Sequence, residues 1–168
     1  MNRKKQSLNS IFIETVDVNK TAMFRLAYSI VLNKEDAEDV VSESILKAYS
    51  HLYELRNTKK MKAWLFQILV NESKTCLRKR KRIELVDDFS KFENRVSESD
   101  NGTSSDLLEY IYQLEDIYKE IIILYYFEQF HIREIAKILN LSEGTVKSRL
   151  FRARAELKKF LEENHWKG

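Results

Sequence analysis

The sequence predicts an all-α protein: two small helical domains joined by a flexible acidic linker, the C-terminal one containing a helix-turn-helix. Three observations predict it. The 168 residues include no proline and only three glycines, Gly102, Gly144 and Gly168, so little interrupts a long helix. Apolar residues recur three and four apart through most of the chain, the period of a helix with one buried face. The block from Asp87 to Asp106 breaks that pattern with Ser, Asn, Asp and Gly, which is the composition of a connector. The expected divisions are 1–86, 87–106 and 107–168.

Charge follows the same divisions. The net charge of +3 separates into +7 over residues 1–86, −4 over 87–106 and zero over the remainder. Such segregation suits a polyanionic partner for the first domain and an acidic tether behind it. The single cysteine, Cys76, excludes an intrachain disulfide, and three histidines add too few ligands for a structural zinc site. No metal and no cofactor are expected. No apolar run approaches the roughly 20 residues that span a bilayer. The opening MNRKKQSLNS lacks the apolar core of a signal peptide, so the expected setting is the cytoplasm, without membrane insertion. Catalytic residues are not expected either. The chain has no Ser/His/Asp constellation, glycine-rich phosphate loop or metal-ligand spacing, which argues against an enzyme.

In the first domain, helices are expected over Leu8–Asp17, Asn19–Leu32, Asp36–Leu52 and Lys59–Arg82. Asn33 to Asp36 forms a turn that brings carboxylates to a helix N-terminus, where the dipole favours them. The third helix places Asp36, Asp39 and Glu43 close together, with Val40, Val41, Ile45 and Leu46 as its apolar positions. That acidic face is either solvated or docks a basic partner helix. The fourth helix is apolar on Met61, Leu65, Ile68 and Leu69. A polar line of Ala63, Gln67, Asn71, Lys74 and Arg78 runs along it, and it ends in five cations, Arg78 to Arg82. A run of that kind is costly unless solvated or matched to phosphates. Trp64, Phe66 and Tyr49 are core types, although Trp64 opens the helix beside the polar loop Glu54 to Lys60 and is also a candidate to meet a base.

In the second domain, helices are expected over Asp106–Gln113, Glu115–Phe127, His131–Leu139 and Glu143–Leu161. Phe130 to Leu157 reads as a helix-turn-helix. Ile132, Ile135, Ala136 and Leu139 form one inward stripe. Asn140 suits the left-handed residue that ends a helix, and Ser142 suits the next N-cap. Val146, Leu150, Ala153 and Leu157 share the inner face of the last helix. Gly144, Thr145, Ser148, Phe151 and Arg152 share the outer one, flanked by Lys147, Arg149 and Arg154. Arg152 suits a guanine and Phe151 a thymine methyl. Lys147 and Arg149 suit phosphates, which add affinity without sequence preference.

Together these segments resemble the extracytoplasmic-function (ECF) sigma factors, small two-domain bacterial transcription initiation factors. DAEDVVSESILKAY, Asp36 to Tyr49, is similar to the family's helix for core RNA polymerase. WLFQILVNESKTCLRKRKR, Trp64 to Arg82, is similar to its promoter-melting helix. Tyr118 to Leu157 resembles its reader of the upstream promoter element, with Asn140 where a glycine is usual. The resemblance implies that Asp36, Asp39 and Glu43 dock on core polymerase. It implies that Arg56, Asn57, Thr58 and Trp64 capture a flipped base of the −10 strand, and that Gln67, Asn71, Lys74 and Arg78 hold the −10 region. Thr145, Lys147, Ser148, Arg149, Phe151 and Arg152 then face the −35 element, and the linker threads toward the polymerase active-site channel. The implied partners are core polymerase, promoter DNA and an anti-sigma factor, often membrane-tethered. The competing reading is a conventional helix-turn-helix regulator that binds duplex DNA unaided.

Overall fold

A computed structural model of the chain describes residues 3–86 and 106–164. These form two compact units, one on each side of the connector. Apart from Asp106, the expected linker lies outside the described residues. Each described stretch is helical, and neither contains a strand.

The first unit is a bundle of α1 (Arg3–Val31), α2 (Lys34–Ser50) and α3 (Met61–Val86). Two helices were expected where α1 runs unbroken for 29 residues, about 44 Å at 1.5 Å per residue. The polar residues near the expected break hydrogen-bond backward along the helix, so they do not end it. Thr15 Oγ1 donates to the Ile11 carbonyl at 2.7 Å, and Asn19 Nδ2 donates to the Thr15 carbonyl at 2.8 Å.

Leu32, at φ 51°, closes α1 in the left-handed region. Asn33 then caps α2, its Oδ1 accepting from the Asp36 backbone N–H at 2.9 Å. The three helices pack closely because small residues lie between them. Ala27, Ala37, Ala48, Ser29, Ser44 and Ser73 are fully buried. Each buried serine hydroxyl donates to a carbonyl one turn back, at 2.6–2.8 Å, and so enters the core satisfied. Met23, Leu26, Leu52, Met61, Leu65, Phe66 and Leu69 fill the remaining space. Complete burial of one such side chain stabilises the fold by about 1.5–3 kcal/mol.

The second unit contains α4 (Asp106–Gln113), α5 (Asp116–Ile122), α6 (Ile132–Leu139) and α7 (Glu143–Glu163). The helix expected over Glu115–Phe127 changes character at Ile123. From there to Phe127 the chain is a π segment, with the Glu128 N–H reaching the Ile123 carbonyl at 3.0 Å. Its core holds Ile111, Ile121, Ile122, Leu124, Ile135, Ile138, Val146, Leu150 and Ala153. Lys119 is also buried, its Nζ paired with Asp116 at 2.9 Å. Tyr110 stacks on Phe160 and donates to the Glu156 carbonyl, tying α4 to the end of α7.

Candidate nucleic-acid interface

The helix-turn-helix is built by local chemistry. The His131 backbone N–H donates to Glu134 Oε2 at 2.9 Å and satisfies the start of α6. Asn140 ends α6 at φ 54°, ψ 51°, the left-handed geometry its short polar side chain tolerates. Ser142 starts α7, its Oγ accepting from the Thr145 N–H at 3.1 Å. Val146, Leu150 and Ala153 turn inward, while Leu157 is half-buried.

This packing places the outer face of α7 in solvent. Lys147, Ser148, Phe151 and Arg152 are exposed there, Thr145 and Arg149 half-buried. Phe151 is 74% exposed, which no core role explains. Ser148 Oγ donates to the Thr145 carbonyl at 3.1 Å. Arg154 differs from its neighbours. Its Nε donates to the Tyr126 hydroxyl at 2.5 Å, and its guanidinium lies 5.3 and 5.6 Å from the Tyr125 and Tyr126 ring centres. That hydrogen bond, foremost, holds the guanidinium above its ordinary pKa. Arg154 keeps the flank it shares with Lys147, seven residues earlier, and is exposed there, while its guanidinium also engages the domain's own tyrosines.

In the first unit, α3 presents two faces. Gln67, Asn71, Lys74 and Arg78 share one line, with Asn71 and Arg78 exposed. Arg78 is steadied by a 3.0 Å hydrogen bond to Thr75 Oγ1. Arg56, Asn57 and Thr58 are all exposed in the connection that leads into α3. Asn57 caps a short 3-10 turn there, accepting from the Lys59 N–H at 3.0 Å. Trp64 stands half-buried in the first turn of α3. Of the expected apolar face, Met61, Leu65 and Leu69 are buried. Ile68 is only half-buried, its place in the core taken by Phe66 and Val70.

Arg80 falls on the other face, about 200° round from Arg78 at ~100° per residue. It donates to Asp36 Oδ2 at 2.8 Å and to the Val31 carbonyl at 2.9 Å. Lys47 pairs with Glu72 at 2.6 Å, and both this pair and Arg80–Asp36 join α2 to α3. Between them lies a groove of about 460 Å³ bordered by Asp36, Asp39, Glu43, Cys76, Arg80 and Ile83. Burial, then Asp36, pushes the Cys76 thiol up from its ordinary pKa, with Arg80 opposing. Asp39 and Glu43 remain exposed on α2.

Leu46, one of the apolar positions of this helix, is 64% exposed, and Tyr49, a core type by sequence, is 51% exposed with its ring 5.8 Å from Phe12. Leu46 extends the line Asp39, Glu43 by one more turn, so this face is acidic at one end and apolar at the other. The three- and four-residue spacing contained that signal. The apolar character of Leu46 hid it.

Comparison with known proteins agrees with this layout. The family described as Sigma-70 region 2 matches residues 15–83, and Sigma-70, region 4 matches residues 104–157. RNA polymerase sigma factor SigV of Bacillus subtilis is 38% identical over 90% of this chain and 91% of its own. ECF RNA polymerase sigma factor SigM of the same organism is 35% identical, over 81% and 86%. Among solved structures, the sigma factor RpoE in complex with the anti-sigma factor NepR, from Bartonella quintana, aligns at TM-score 0.70 and 27% identity, covering 96% of this chain and 98% of that one. Two helices with exposed basic side chains, a helix with an exposed acidic face and relatives matched along nearly their whole length lead to one conclusion: the chain belongs to the ECF RNA polymerase sigma factors, which bind core RNA polymerase and direct promoter-specific transcription initiation.

Proposed function

We propose that the residues divide this work between the two units. The first unit docks on core polymerase through the α2 face bearing Asp36, Asp39 and Glu43, with Leu46 adding apolar contact. It holds the melted −10 strand along Gln67, Asn71, Lys74 and Arg78, with Arg56, Asn57, Thr58 and Trp64 around a flipped base. The second unit reads the −35 element through Thr145, Lys147, Ser148, Arg149, Phe151 and Arg152. The observation that carries this reading is the exposed outer face of α7, where a large aromatic and an arginine stand in solvent on a helix whose other side is packed. The protein supplies no catalysis; it positions the polymerase that does.

Two further parts rest on relatedness. An anti-sigma factor, membrane-tethered or free, holds the protein inactive, as the complex of RpoE with NepR suggests. The response it serves is to envelope or extracytoplasmic stress. A cytoplasmic setting fits this role, and no helix among the described residues is long and apolar enough to cross a membrane.

The test is transcription of fragmented genomic DNA from the source organism by bacterial core polymerase, with and without the protein, mapping RNA 5′ ends. New starts sharing a two-part upstream motif support the reading. Absence of new starts, with specific duplex binding by the protein alone, favours the conventional regulator.

A further inference from the structure

Arg154 is the cation of α7 that the domain itself engages most closely. It sits about 120° round the helix from Ser148, at ~100° per residue, on the flank that meets the π segment. There it meets a hydroxyl and two aromatic faces at once. Tyr125 and Tyr126 pack edge to face, with ring centres 5.0 Å apart. Arg154 is exposed, and the hydrogen bond and two rings compete with any phosphate for its guanidinium. This matters because a phosphate contact strengthens binding to every sequence equally and lowers no competitor.

We infer that the Tyr125–Tyr126 clamp is a specificity device: it withdraws Arg154 from the DNA backbone, so that α7 discriminates by Ser148, Phe151 and Arg152 with less indiscriminate attraction. Arg154 is then a positioning residue and not a DNA contact. The π segment is what makes the clamp, because the wider turn from Ile123 to Phe127 sets both adjacent tyrosines toward α7. The inference rests on the −35 reading of α7 proposed above.

The experiment uses holoenzyme assembled from core polymerase and the full chain. Equilibrium binding is followed against salt on a mapped promoter fragment and on the same fragment with its upstream element scrambled. For the wild type, stronger binding to the intact fragment is expected. Equal binding to both would remove the −35 reading itself, and the inference with it. Given that preference, Arg154→Gln is expected to leave the salt slope unchanged. The double variant Tyr125→Leu/Tyr126→Leu frees Arg154 and is expected to steepen the slope by about 0.9, the value of one added phosphate contact, and to shrink the preference for the intact element. Adding Arg154→Gln to that double variant should return the slope to the wild-type value, which a purely structural lesion would not do. A slope shallower by about 0.9 in Arg154→Gln alone means that Arg154 already binds phosphate, and overturns the inference even if the double variant fails to fold. An unchanged slope in a folded double variant overturns it as well.

Discussion

Arg80 on α3 and Asp36 on α2 form a 2.8 Å ion pair, and the same guanidinium donates to the last carbonyl of α1. One side chain from the cationic run thus fastens all three helices of the first unit. It also occupies Asp36, a carboxylate proposed for the polymerase face, so that proposed face is tied to α3. Each partner is about one-third exposed, 31% and 32%, so water and salt screen the pair. Arg80→Ala should cost about 0.5–1 kcal/mol, which lowers the first unit's melting temperature by about 2–8 °C. The deficit should shrink in high salt, and thermal unfolding at two ionic strengths checks both statements.

The α7 face separates recognition from stability. Phe151 is so exposed that Phe151→Ala should change folding stability by less than about 0.5 kcal/mol. Arg152→Glu should be similarly mild for the fold. Both should weaken selection of the upstream element by about tenfold while core binding is retained. Transcription from intact and scrambled upstream elements, beside a core-binding competition, measures the split. Equal loss of both activities would refute the assignment.

The turn between α6 and α7 depends on one backbone conformation. At φ 54°, Asn140→Gly keeps the left-handed residue, and stability should stay within about 0.5 kcal/mol. Asn140→Val forces a β-branched residue into the same region and should cost about 1–2 kcal/mol. Urea unfolding of the two variants gives the comparison, and similar midpoints would contradict the strain argument.

Cys76 offers a pH-dependent readout. Burial and Asp36 raise its thiol above the ordinary 9.0, so the folded chain holds that proton more tightly than the unfolded chain. This contribution to stability is complete below pH 9.0 and fades as pH rises through the higher folded value. Alkylation near neutral pH should therefore be slow. Asp36→Asn should speed it, because a raising charge is lost and Arg80 is released to favour the thiolate. Alkylation rates against pH decide this, and no acceleration in the variant would count against it.

The sequence was legible where local chemistry acts alone. Asn140 and Ser142 are punctuation whose meaning depends on a few neighbouring atoms, and α7 follows from apolar positions four and three apart. The expected break between Asp17 and Asn19 does not occur, because the Asn19 amide bonds back to Thr15 within the helix. The exposure of Leu46 was not legible because hydrophobicity does not say which side of a helix has a neighbour. Arg80 and Arg154 were hidden for a different reason. Each is one cation among several, and the partners that distinguish them lie 44 and 28 positions away.

The π segment carries one residue more than an ordinary turn would need. Deleting either Ile123 or Leu124 would let the wide turn close to an ordinary one, and the Glu128-to-Ile123 bond that shapes the corner carrying both tyrosines would be lost. A lesion of one codon there leaves composition, charge and the outer face of α7 almost untouched, yet it changes which way a whole corner points. In such a helix, orientation is inherited as a count.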